Sequence, residues 1–70
     1  MATITNSVMV SSEERATYKR NRYRYTLDTG DVFDQISWVP LATDNATDMA
    51  ARGDALLESL AEQEIGGVLP

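Results

Sequence analysis

The seventy-residue chain has no cysteine and no histidine. Without cysteine there are no disulfides, no thiolate zinc sites and no thiol nucleophile. Without histidine the commonest metal ligand and general base are missing, and Ser-His-Asp and Cys-His catalysis go with them. No apolar run approaches the roughly 20 residues that cross a bilayer. The opening Met1-Ala2-Thr3-Ile4-Thr5 has neither the basic stretch nor the apolar core of a secretory leader, so a chain made and soluble in a cytoplasm is expected. Positive charge is scarce: six bases against eleven acids leave −5. Nucleic-acid binding is driven by phosphate neutralisation, and at this charge it starts at a disadvantage.

What is present is ordinary for a folded chain, with 43% hydrophobic and 24% charged residues. The length allows one small domain. So short a chain buries little apolar surface and usually needs a disulfide, a metal or a partner subunit to be firmly stable. With the first two removed, the partner is what remains.

Charge is divided along the chain. Five of the six bases, Arg15, Lys19, Arg20, Arg22 and Arg24, precede residue 27 with only Glu13 and Glu14 against them. From Leu27 onward Arg52 alone stands against nine acids. Either the two regions neutralise each other inside one fold, or the basic end of one copy meets the acidic end of another.

Residues 1–10 are apolar and β-prone, with Ile4, Val8 and Val10 at even positions. They are expected to form an extended arm that adds to a sheet edge on a neighbour, with a third strand of the chain's own sheet as the alternative. Ser11 and Glu14 fit a capping box, which predicts a short helical turn over about residues 12–18. Arg20–Leu27 alternates strictly: Arg20, Arg22, Arg24 and Thr26 on one face, Asn21, Tyr23, Tyr25 and Leu27 on the other. Asp28-Thr29-Gly30-Asp31 is a turn. Val32–Val39 is the returning strand, ended by Pro40, with a bulge or edge position at Asp34. Over 43–65 Ala46, Met49, Ala50, Gly53, Leu56, Leu57, Leu60 and Ile65 recur at three and four, an amphipathic helix stopped by Gly66-Gly67. The expected fold is α+β: a β-hairpin or short antiparallel sheet with one C-terminal amphipathic helix and extended terminal arms. Its parts are an arm at 1–10, a hairpin-plus-helix domain at 11–65 and a tail at 66–70. The expected core is Tyr23, Tyr25, Leu27, Val32, Ile36, Trp38, Leu56, Leu57 and Leu60.

Little here can carry chemistry. Asp28, Asp31 and Asp34 lack the ligand pattern of a calcium loop. Glu58, Glu62 and Glu64 lie on the solvated side of a helix, and the chain is too small to enclose a substrate cleft, so no enzymatic activity, cofactor, metal or small-molecule substrate is expected. Arginines interleaved with Tyr23 and Tyr25 hint at single-strand binding, but alternation puts those tyrosines on the face opposite the arginines. The tyrosines read as core, and Arg20, Arg22 and Arg24 as a solvated or partner-facing row. Both ends, MATIT and GGVLP, are apolar or neutral, and a domain this small cannot bury both. Tails laid along other subunits are expected.

Over about residues 22–62, the stretch YRYTLDTGDVFDQISWVPLATDNATDMAARGDALLESL resembles small structural proteins of tailed bacteriophage particles in having a short aromatic hairpin, a WVP-like strand end and an acidic Ala/Leu-rich helix. The resemblance implies a virion role in the tail, baseplate or capsid surface and assigns no site residues. The leading expectation is therefore a non-enzymatic structural subunit of a phage particle. It is made in the host cytoplasm and contacts other virion proteins and copies of itself through Ile4, Val8, Val10, Arg20, Arg22 and Arg24. The alternatives are a small acidic inhibitor or adaptor of a host protein, whose acids imitate phosphate, and a small nucleic-acid-binding module using the arginine row.

Overall fold

A computed structural model describes residues 2–68, with side chains described through Glu62. Three antiparallel strands, β1 (Ile4–Glu14), β2 (Tyr18–Leu27) and β3 (Val32–Pro40), form one sheet in the order β1-β2-β3, followed by the helix α1 (Asn45–Val68). This is the α+β sheet-and-helix fold that the alternation and the apolar stripe predict.

The central strand β2 organises everything else. Its period-two pattern sends Lys19, Asn21, Tyr23, Tyr25 and Leu27 to the helix side, where all five are buried. Arg20, Arg22 and Arg24 emerge on the other side. Four residues, 28–31, connect β2 to β3, and the Leu27–Asp31 pair closes a three-residue loop of Asp28, Thr29 and Gly30. The Leu27 amide donates to the Asp31 carbonyl at 2.9 Å, the Gly30 amide to the Leu27 carbonyl at 3.0 Å, and Gly30 takes φ +92°. That turn sets the register Thr26↔Val32, Arg24↔Asp34, Arg22↔Ile36 and Arg20↔Trp38. Directly opposed residues share a face, so Val32, Ile36 and Trp38 stand beside the arginines and away from the helix.

This corrects the expected core: Val32 is 53% and Trp38 59% exposed, while the buried apolar set is Tyr23, Tyr25, Leu27 and Leu56. Ile4, Phe33, Met49 and Leu60 pack around Tyr23, Tyr25 and Leu56. Of the two features expected at Asp34, the edge position is found, since β3 is an edge strand, and the bulge is not, since the β2–β3 register runs without a shift. Asp34 is opposite Arg24 and its polarity is accommodated there.

The N-terminal segment lies in the chain's own sheet, antiparallel to β2. The helical turn expected over 12–18 does not form. β1 runs through it to Glu14, where the ladder sets Glu13 opposite Arg20, 3.9 Å from its guanidinium, and Glu14 opposite Lys19, so that pairing with β2 satisfies the backbone that a cap would otherwise serve. The hairpin closes with the Arg15 amide donating to the Tyr18 carbonyl at 2.7 Å. Two bulges, between Ile4 and Asn6 and between Met9 and Ser11, each insert one residue and reverse the face that β1 presents. Ile4, Val8 and Val10 therefore do not share a side. The backbone at Thr3 is also tied to the turn, accepting from the Asp28 amide at 2.9 Å.

Asp44 starts α1 by accepting from the Thr47 amide at 2.9 Å and the Thr47 hydroxyl at 2.7 Å. Those two bonds, the hydroxyl first, hold the Asp44 carboxyl below the usual carboxylate range. The helix crosses the sheet at Gly53, where an added Cβ would stand 3.0 Å from Ile4 Cδ1 and 3.1 Å from Tyr25 Cε1. Glycine is used here for close approach. α1 continues to Val68, past the Gly66-Gly67 stop the sequence predicts. The Ile65 side chain and residues 69–70, the end of the expected tail, lie outside the described residues.

Candidate interaction surface

The two sides of the sheet carry different chemistry. The helix side is closed by hydrogen bonds that reach from β2 into the first turns of α1. The Tyr23 hydroxyl donates to Asp48 and accepts from Asn21 Nδ2 at 2.9 Å, and Ser37 Oγ donates to the other Asp48 oxygen at 3.1 Å. Asn21 Nδ2 also donates to Asn45 Oδ1 at 3.1 Å, while Asn21 Oδ1 accepts from Ser12 Oγ at 2.6 Å. The Tyr25 hydroxyl donates to the Met49 carbonyl and Lys19 Nζ to the Thr43 carbonyl, each at 2.7 Å.

Burial and, after it, the hydrogen bond to Asp48 push the Tyr23 hydroxyl up from 10 to about 12. Burial also raises Tyr25. Both groups are held as neutral donors. Among the described residues every buried side-chain nitrogen and oxygen has a partner. The network pins the helix, and it presents no unpartnered group to a ligand. Also among the described residues, no three Asp or Glu side chains converge as a metal site, and no helix is long and apolar enough to cross a membrane.

Among the described residues, no element packs on the other side of the sheet. Its centre is the β2 row Arg20, Arg22 and Arg24. Arg24 holds Asp34 with two bonds, Nε to Oδ1 at 2.8 Å and Nη2 to Oδ2 at 3.1 Å, and Arg22 Nε lies 3.7 Å from the same carboxylate. The Arg24 bonds hold the Asp34 carboxyl below the usual range, with the charge of Arg22 adding to them. Arg20 is 3.9 Å from Glu13. Its guanidinium also lies 5.7 Å from the Trp38 ring centroid, and Tyr18 packs on the same indole at 5.6 Å with the planes tilted by 50°. Val8, Val10 and Val32 are exposed on β1 and β3. An aromatic and aliphatic surface is thus crossed by a row of cations and left open to water.

Of the residues expected to bind partners, Arg20, Arg22 and Arg24 form one row on this open face. Val8, opposite Arg24, joins them. Val10 occupies the second bulge and is exposed. Ile4 is separated from the set: it pairs with Leu27 and packs into the chain's own core beside Gly53. Sequence reasoning placed Trp38 in the core in preference to a role as an interface anchor, and it passed over Tyr18; both are exposed. The available signal was the length of the turn, whose three-residue loop between Leu27 and Asp31 fixes the parity of β3 against β2.

No protein-family model, no curated protein and no solved structure matches the chain.

Proposed function

We propose that this protein is a non-enzymatic structural subunit of a larger protein assembly, in the leading reading a bacteriophage particle, and that the open face of its sheet is the docking surface. The reading rests on one observation. Trp38 is 59% exposed, packed against by Tyr18 and Arg20, on the edge strand β3 of a sheet face that no element covers among the described residues. Exposed tryptophan beside arginine is the composition of an interface anchor. An antiparallel sheet can leave one face in water, but an exposed tryptophan beside exposed valines on that face supports a further layer supplied by another molecule. The likeness of residues 22–62 to small virion proteins supports the choice of assembly. The test is mass spectrometry of gradient-purified particles from cells that make the chain from its own gene. A fixed copy number relative to the major particle protein is expected. Absence from particles in cells that contain the soluble chain contradicts the virion reading.

A second reading has an observation of its own. Tyr18 and Trp38 share a face with Arg20, so stacking surfaces and cations are combined as single-strand binders combine them, even though Tyr23 and Tyr25 are buried on the far side. Net charge −5 and the pairing of the arginines with Asp34 and Glu13 weigh against it. Anisotropy of a labelled oligothymidylate titrated across salt concentrations distinguishes it: a steep salt slope supports nucleic acid, and no binding at low salt removes it.

A further inference from the structure

The outer face of α1 carries an acidic ridge. Asp54, Glu58 and Glu62 are exposed and spaced four apart, so they follow one line on the helix side away from the sheet, with exposed Ala51 and Ala55 beside them. A step of four residues rises about 6 Å along a helix. The arginines of the open sheet face are two residues apart on β2, which is about 7 Å per step. Three carboxylates and three guanidiniums thus repeat at nearly the same interval on opposite sides of one molecule. Within the chain these two sets cannot meet, because the sheet and the core lie between them.

We infer that the occupant of the open sheet face is a second copy of this chain, docked head to tail, with its α1 acidic ridge laid along the Arg20–Arg22–Arg24 row and its small residues facing Trp38. The inference rests on the reading of the protein as an assembly subunit and names its partner. Charge complementarity selects the arrangement. On the open face three arginines meet two carboxylates, Glu13 and Asp34; Arg20 and Arg22 have one carboxylate contact each, at 3.9 Å and 3.7 Å, and the oxygen that Arg22 approaches is already bound by Arg24. Packing two sheet faces together instead would set one arginine row against another in a desolvated layer, where like charges repel strongly. Alanines on the ridge let the backbone of the incoming helix come close to a tryptophan that projects. The docked helix completes a helix–sheet–helix stack, covering the apolar face of the sheet on its second side. A head-to-tail contact leaves a free sheet face at one end and a free helix at the other, so it grows into a ring or a filament instead of stopping at two copies.

The test is sedimentation equilibrium of the full chain across a wide concentration range, with circular dichroism to establish folding. The wild-type chain is expected to show mass increasing beyond a dimer. Arg22→Glu and Glu58→Arg are each expected to weaken association by about tenfold or more. The double variant R22E/E58R, which exchanges the two charges, is expected to recover it. Trp38→Ala, a change at an exposed site, is expected to weaken association while keeping the fold, and it serves if a charge reversal fails to fold. Wild-type affinity in folded E58R overturns the inference, as does a stable two-copy limit. A chain that is monomeric throughout yet present in fixed copy number in particles also overturns it, and leaves the assembly reading standing. Binding of oligothymidylate by a monomeric chain, lost in Trp38→Ala, overturns it in favour of nucleic acid.

Discussion

The two faces of one sheet differ in what happens to their polar groups. On the helix side Asn21, Ser37 and Lys19 are buried, and each is bonded to a specific atom of β1, α1 or the loop before the helix. On the open side the polar groups are arginines and carboxylates in water, where ion pairs contribute little to stability. The helix side therefore carries the fold. The open side is free to be selected for contact, and it holds the largest exposed aromatic in the chain. Strict alternation on β2 lets ten residues serve both purposes at once.

The sharpest way to break this comparison is to remove one aromatic from each side. Tyr25→Ala should cost about 3–5 kcal/mol, as expected for a fully buried ring. Trp38→Ala should cost less than about 1 kcal/mol. Urea denaturation monitored by circular dichroism checks both, and similar losses would mean that the faces are not distinct in energy. Next in size is the helix crossing. Gly53→Val should destabilise by about 1–3 kcal/mol, because its branches would press on Ile4 and Tyr25. Gly53→Ala should be milder, since the helix propensity gained by alanine offsets the tight contact.

The third prediction uses pH. Tyr23 titrates at 10 in the unfolded chain and about 12 in the folded one. Its contribution is complete below pH 10, and on the order of 2 kcal/mol is lost as pH rises through the folded value. Stability measured from pH 9 to 12 should fall accordingly, and Tyr23→Phe should remove the part of the fall due to this hydroxyl. The smallest effect is at the acidic end. Asp34 and Asp44 titrate lower in the folded chain, so their contribution is present above the ordinary carboxylate range and lost as pH falls through their folded values. Arg24→Ala should shrink the Asp34 share of that loss, read as a smaller drop in unfolding midpoint between pH 5 and pH 2 on the order implied by an exposed pair.

The elements with strong periodicity were legible in the sequence. The β2 alternation, the Gly30 turn and the helical stripe through Gly53 and Leu56 all appear as read. What failed was parity. Whether Val32 faces with Leu27 or with Thr26 depends on one residue of turn length, and a one-residue slip exchanges every side chain of the strand. That single choice decides whether Trp38 is core or surface, and with it the content of the candidate site. β1 failed for a related reason. Its two bulges reverse parity twice in eleven residues, so no single period describes Ile4, Val8 and Val10. The part played by Asp48 was also illegible, because its partners Tyr23 and Ser37 are 25 and 11 residues away and its position in the first helical turns already had a sufficient local explanation.

The most direct test of the central claim uses the chain's single tryptophan as its own reporter. In dilute solution Trp38 should fluoresce as a solvated indole and be quenched readily by acrylamide. As the assembled form is populated, emission should shift to the blue and quenching should fall, with the far-ultraviolet circular dichroism unchanged, because docking covers the open face without refolding it. A tryptophan that is already shielded in the dilute monomer, or one that stays fully quenchable in the assembled form, would contradict the account.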